Sequence, residues 1–263
     1  KLFNKRGKLL KTLAIRPTCH DFSTTKSGSL LIVDPKLRWV QCLSSDNEPT
    51  TLVDFQEGQL PISIYVNRTT GNFLVGLVDS LKHSSSFLST RLIKKFSYDG
   101  QELQTIQYQT KKSFFGRQST SSIFTYPHRI AENEQTGDIA VINWTGDFTG
   151  ELVVLNKDGE VIFRHSNSAE EDTFSPWDVA FDVLGNIVVS DRYSRNIQLF
   201  KASGRAKCVL HKCSFTPHAI EAFSDGKLWI GHSNGKVSII AMTLPEHLDR
   251  YEVEKRIVIV GAD

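Results

Sequence analysis

The chain has 263 residues, 40% of them hydrophobic and 23% charged, and its formal net charge is +2. Those values suit one large all-β fold or two ordinary domains, and they exclude a strongly basic nucleic-acid arm or an acidic tail, though not a local basic patch. No apolar run approaches the roughly 20 residues of a membrane-spanning helix, so no membrane partner is expected. The opening stretch KLFNKRGK has charges with no apolar core behind them, unlike a secretory leader. Cys19, Cys42, Cys208 and Cys213 make no C-x-x-C pair, which points to free thiols in a reducing, cytoplasmic setting. Asn67-Arg68-Thr69 and Asn143-Trp144-Thr145 have the form of glycosylation triplets, a form that matters only in a secreted protein.

Read along the chain, two kinds of strand pair alternate. Residues 1–16 (KLFNKR-Gly7-KLLKTLAI) form an outer pair: a short strand, a glycine turn and a second strand. Residues 17–55 open with Pro17 and hold an inner pair around Gly28, then a degraded outer pair with Asp46-Asn47 at its turn. Residues 60–109 repeat the scheme with Pro61, Gly71 and Gly100. So do 126–167, with Pro127, Gly137 and Gly159, and 175–211, with Pro176, Gly185 and Gly204. In 216–242 Pro217 and Gly226 mark an inner pair and one further strand. Asp99-Gly100 and Asp158-Gly159 supply the positive φ that a tight hairpin needs, and the runs between turns are rich in Val, Ile, Leu, Phe and Tyr. Only residues 244–256, in the tail 243–263, could make a short helix.

Two strands followed by two strands, at a spacing of roughly 40 to 50 residues, is the period of a propeller blade. The fold class is therefore an all-β propeller. The longer interval between Gly71 and Gly137 is explained by two Ser/Thr-rich insertions, 79–91 and 110–125, which carry loop chemistry. Five inner pairs and one orphan outer pair predict a six-bladed ring with its first blade truncated. The last blade should then take its fourth strand from upstream sequence, with residues 257–260 as a substitute.

The best copy runs Pro176-Trp177-Asp178-Val179-Ala180-Phe181, Gly185-Asn186-Ile187-Val188-Val189-Ser190-Asp191, Asn196-Ile197-Gln198-Leu199-Phe200 and Gly204. In residue type and spacing it resembles the NHL repeat. Residues 126–242 look like the C-terminal propeller of tripartite-motif proteins. The resemblance implies a non-catalytic module that selects a substrate or adaptor protein for a ubiquitin ligase, with RNA as an alternative ligand. Relatives carry RING and B-box zinc modules and a dimerising coiled coil before the propeller. The chain is thus expected to be a C-terminal fragment that needs no cofactor itself, zinc belonging only to such upstream modules. Asp191 and Asn196 match the repeat's acid and asparagine, and are read as structural residues that hold a turn by side-chain hydrogen bonds, as the glycines do by their φ.

For chemistry, the sequence has no G-x-S-x-G, H-E-x-x-H or phosphate-cradling glycine loop. A metal-dependent hydrolase or lyase remains as a further alternative, since His20, His128 and His218 lie near the prolines that open inner strands and could converge on one channel mouth. Ile62 and Trp177 hold the same slot elsewhere, and no metal site is predicted. For binding, Trp177, His128, Arg129 and His218 are candidates at the mouth. Lys111, Lys112 and Arg117 around Phe114-Phe115 mix cations with rings, a pattern suited to single-stranded RNA.

Overall fold

The computed structural model describes residues 2–3, 9–11, 16–44, 49–83, 89–112, 118–166, 174–204, 207–243 and 252–254. A hairpin comes first, β1 (Leu2–Phe3) and β2 (Leu9–Lys11). Blade one is β3 (Asp21–Thr24), β4 (Leu30–Asp34), β5 (Trp39–Leu43) and β6 (Pro49–Asp54). Blade two is β7 (Leu60–Val66), β8 (Phe73–Val78), β9 (Arg91–Phe96) and β10 (Glu102–Ile106). A second hairpin follows, β11 (Tyr108–Lys112) and β12 (Gln118–Ser122). Blade three is β13 (Pro127–Glu132), β14 (Ile139–Trp144), β15 (Gly150–Leu155) and β16 (Val161–His165). Blade four is β17 (Pro176–Phe181), β18 (Ile187–Asp191), β19 (Asn196–Phe200) and β20 (Lys207–Lys212). Blade five is β21 (Pro217–Ala222), β22 (Lys227–His232), β23 (Val237–Thr243) and β24 (Glu252–Glu254). Every pairing is antiparallel between chain neighbours, as short hairpin turns require.

Burial grades across each blade. The second strands β8, β14 and β18 are buried on nearly every residue, so they read as unbroken apolar runs rather than alternating ones. Outermost strands such as β6, β10 and β20 are largely exposed. Four seams hold the blades together. Val33, Val40 and Phe55 of the first blade meet Phe73, Leu77 and Phe96 of the second. Leu74 and Ile93 meet Ile139 and Val153; Ile142 and Leu152 meet Val179 and Phe200; Val188 and Leu199 meet Ile220 and Leu228. Among the described residues no such cluster joins blade five to blade one, and Phe22 and Phe223 are exposed.

Three expectations are corrected. The described residues form five blades, not six; the described part of residues 1–16 is the short β1–β2 hairpin. Blade five takes its fourth strand from downstream: Thr243, Met242 and Ala241 pair with Glu252, Val253 and Glu254. That strand lies inside the segment 244–256 predicted as a helix; the rest of that segment, like residues 257–260, is outside the described residues. The insertion 110–125 is not a plain loop, since Tyr108–Lys112 pairs residue for residue with Gln118–Ser122. Alternation of Ser and Thr on β12 carries no apolar face, which hid the strand.

The outer-turn glycines do more than turn the chain. A Cβ on Gly100 would lie 2.4 Å from the Leu52 carbonyl oxygen of blade one. On Gly159 it would lie 3.0 Å from Ile106 of blade two, and on Gly204 2.5 Å from the Phe163 ring of blade three. Each turn thus seats on the outer strand of the preceding blade, a joint repeated three times. Gly28 also has positive φ, but nothing lies within 4 Å of its Cβ position. We expect Gly100→Ala to cost about 3 kcal/mol or more, against about 1–2 kcal/mol for Gly28→Ala, where only the left-handed backbone is strained. Urea denaturation of the two variants checks this; equal losses would contradict the joint.

Candidate recognition site at the channel mouth

Four inner strands open in the same irregular way. Pairing slips by one residue between Pro61 and Ser63, Pro127 and Arg129, Pro176 and Asp178, and Pro217 and Ala219. Proline has no N–H to give the ladder, and the next residue is the extra one of a β-bulge. The extra residues are Ile62, His128, Trp177 and His218. Bulges re-aim side chains, and here they deliver the slot residues to the mouth. The residues after them, Ser63, Arg129, Asp178 and Ala219, are brought to the channel. In blade one Asp21, paired with Val33, holds the channel position.

The mouth side chains form a continuous stack across blades two to five. Tyr126 lies parallel to Trp144 at 5.9 Å, and His83 meets both rings edge-on at 4.7 and 5.0 Å. His128 stacks on Trp144 at 3.5 Å and meets Trp177 edge-on at 5.2 Å. Trp177 stacks on His218 at 4.8 Å. The indole N–H of Trp144 donates to the Pro176 carbonyl at 3.0 Å, fixing its ring between blades three and four. Arg192 closes the stack, its guanidinium 4.7 Å from the Trp177 ring and 4.9 Å from the Phe148 ring. Phe148 and Tyr193 are 72% and 66% exposed, so the stack reaches solvent.

The three histidines are each held by other contacts. His128 is 4% exposed, and neither ring nitrogen has a hydrogen-bond partner. Burial, then the nearby Arg129 charge, holds its pKa well below the ordinary value, so it sits there as a neutral ring. His20 Nδ1 is 2.7 Å from the Ile62 carbonyl oxygen, and His218 is committed to Trp177. Among the described residues no three His, Cys, Asp or Glu side chains are placed to hold a metal ion.

Below the mouth, one cation serves two acids. Arg129 Nη1 is 3.6 Å from Asp21 Oδ2 and also attracts Asp178. Asp21 accepts the Ile64 N–H at 3.0 Å, and Asp178 the Ile220 N–H at 2.8 Å, so each acid ties its own blade to the next. Desolvation pushes the Asp178 carboxyl up to about 7, with Arg129 opposing.

Asp191 is buried and saturated: its Oδ1 accepts the N–H groups of Ser175, Tyr193 and Ser194, and its Oδ2 a bond from Gln198. Asp34 and Asn143 stand at the same place in their blades and hold the same turn or the chain entering the blade. Asn196 differs from expectation, because its Oδ1 is buried without a partner. Asn67 and Asn143, the triplet asparagines, are both buried, with their amide nitrogens bonded to Glu132 and Glu151. Neither can carry a glycan in the folded chain.

Of the residues singled out from sequence, Trp177, His128 and His218 come together, while Arg129 belongs to the channel beneath. Lys111 and Lys112 lie on the β11 backbone of the separate hairpin, and Phe114, Phe115 and Arg117 fall outside the described residues. Sequence reading missed Tyr126, Trp144's central place, Phe148, Arg192 and Tyr193. A signal was present: in an antiparallel blade, the turn after the second strand returns to the face where the first strand began, so residues following Asn143 and Asp191 belong to the mouth.

Among known proteins, no family model matches the chain. NHL repeat-containing protein 3 of Homo sapiens is 29% identical over 144 residues, 52% of this chain. The match covers 40% of that relative's length. Solved structures share the fold: a streptogramin B lyase (TM-score 0.58, 14% identity, 90% of this chain and 67% of that one) is one. A chain of a nidogen/laminin complex is another (TM-score 0.59, 14% identity, 86% and 77%). A gluconolactonase of Xanthomonas campestris is a third (TM-score 0.56, 16% identity, 80% and 67%). The chain is a β-propeller whose blades resemble NHL repeats.

The channel acids make stability depend on pH. Asp178 titrates above its ordinary value of 3.8, so between about pH 4 and 7 the folded chain binds more protons than the unfolded one, and stability falls as pH rises through that window. We expect Asp178→Asn to remove on the order of 2 kcal/mol of that fall, leaving the part due to Asp21, whose carboxyl is also raised. Urea midpoints from pH 4 to 7.5 measure it; parallel curves for the two proteins would contradict it.

Proposed function

We propose that this chain is a non-catalytic recognition propeller that binds a protein partner across its aromatic mouth. The observation that carries the reading is the stack from Tyr126 to His218, capped by Arg192 and exposed Phe148 and Tyr193. Rigid Trp, Tyr and Arg side chains on a fixed scaffold concentrate binding energy at protein interfaces. The inward imidazoles support binding over chemistry, since each is packed on a ring or bonded to a main-chain carbonyl. In a tripartite-motif-like polypeptide, the mouth would choose the substrate of a ubiquitin ligase whose zinc modules lie elsewhere, in the cytoplasm. The lyase and lactonase with this fold share 14–16% identity with it, a likeness of architecture and no more.

The test is retention from RNase-treated extract by the wild-type chain and by a Phe148→Ala/Trp177→Ala variant, followed by titration of the purified partner. We expect a protein retained by the wild type and bound about tenfold or more weakly by the variant, with Phe22→Ala, on β3 of blade one, unchanged. Equal binding by the mouth variant, or loss of all partners on RNase treatment, would overturn the reading.

A further inference from the structure

Beside Arg192 the mouth opens into a cleft of about 630 Å³ between blades three, four and five. Its lining contains two arginines, Arg192 and Arg195, one histidine, His218, four serine or threonine residues and two aromatic rings, Phe148 and Tyr193, but no carboxylate. On a chain with net charge of only +2, this is a local concentration of cations and hydroxyl donors. The carboxylates nearby are already engaged. Asp147 Oδ1 is 3.0 Å from His83 Nδ1, and Asp191 beneath is closed off by its four hydrogen bonds. Neither arginine makes an ion pair among the described residues.

Arg192 is also held in place before any ligand arrives. Its guanidinium lies against Trp177 and Phe148, and Nη2 donates to the Asp147 carbonyl at 3.0 Å. A guanidinium has five N–H donors in a rigid fork, so donors remain for a planar or tetrahedral oxyanion. Flanking rings limit its rotamers and lower the entropy lost on binding.

We propose that this cleft takes the oxyanion of an acidic side chain, a carboxylate or a phosphate ester, on an exposed segment of the protein partner. Arg192 and Arg195 grip the anion, the hydroxyls of the lining supply further donors, and Phe148 and Tyr193 cover the apolar atoms beside it. The inference rests on the recognition reading above and names the chemistry recognised. His218 is neutral near pH 7, its pKa lowered by burial and by Arg192.

The test uses labelled peptides of one glycine/serine/phenylalanine framework, bearing glutamates, phosphoserines or lysines, and a single-stranded RNA of mixed sequence, each titrated by fluorescence anisotropy. We expect the glutamate or the phosphoserine peptide to bind about tenfold or more tightly than the lysine peptide, and to weaken as salt is raised from about 0.1 to 0.5 M. Whichever acidic peptide binds more tightly identifies the source of the anion. Arg192→Gln and, at an exposed turn where folding is not at stake, Arg195→Gln should each lose most of that preference, with Lys26→Gln unaffected. Equal binding of the lysine peptide, or unchanged preference in both arginine variants, would overturn the oxyanion assignment. It would leave the recognition reading standing if partner capture still depends on Phe148 and Trp177. RNA bound through Arg192 with no peptide bound would overturn both.

Discussion

A proline that cannot join the ladder, followed by one extra residue, decides what this propeller shows to the outside. In a regular strand, side chains alternate between the two faces of the blade, and none would reach over the channel. The slip at Pro127, Pro176 and Pro217 breaks that alternation at the same height in three successive blades. His128, Trp177 and His218 then stand side by side, close enough to stack. The residue after each slip is delivered to the channel, where Arg129 and Asp178 sit. One backbone irregularity thus builds two layers: an aromatic surface above and a charged plug below.

Both layers depend on the blades keeping their relative positions, and the seams provide that. Apolar clusters fill four of them. Polar contacts then set the angle between neighbours: Asp21 to Ile64, Asp178 to Ile220, and Ser63 to the Pro127 carbonyl at 2.7 Å. At the rim, glycine turns seat on the preceding blade, where a Cβ would collide at Gly100 and Gly204 and crowd Ile106 at Gly159. Between blades one and two, the inner tie from Asp21 to Ile64 and the outer seat of Gly100 on Leu52 fix the joint at two radii. Neutral His128, with no hydrogen bond for either nitrogen, serves in this frame as a flat spacer between two indoles.

Much of this was legible in the chain. Alternating hairpin types, their glycines and the blade period gave the propeller, because turn chemistry and β-branched runs are local signals. The slot after each proline was legible too, which is why His128, Trp177 and His218 could be named. Blade number was not, because β24 is three residues long within a polar stretch, and its pairing with β23 is set by a partner rather than by its own pattern. Arg192 and Phe148 were missed for a different reason. They come from turns after Asp191 and Trp144, and only the antiparallel return of the chain brings those turns beside Trp177. The rim role of Gly100 and Gly204 was hidden likewise, since a turn that needs positive φ accounts for glycine without any neighbour.

Hydrogen–deuterium exchange on the partner-bound chain shows which end of the channel a partner covers. Slowed exchange is expected only in the segments around Thr145–Thr149, Arg192–Arg195 and Thr216–His218, with no change at the opposite end of the inner strands, where the Arg68 N–H donates to Glu134 and its guanidinium pairs with Glu221. Protection at that opposite end, or along the exposed outer strands, would contradict it.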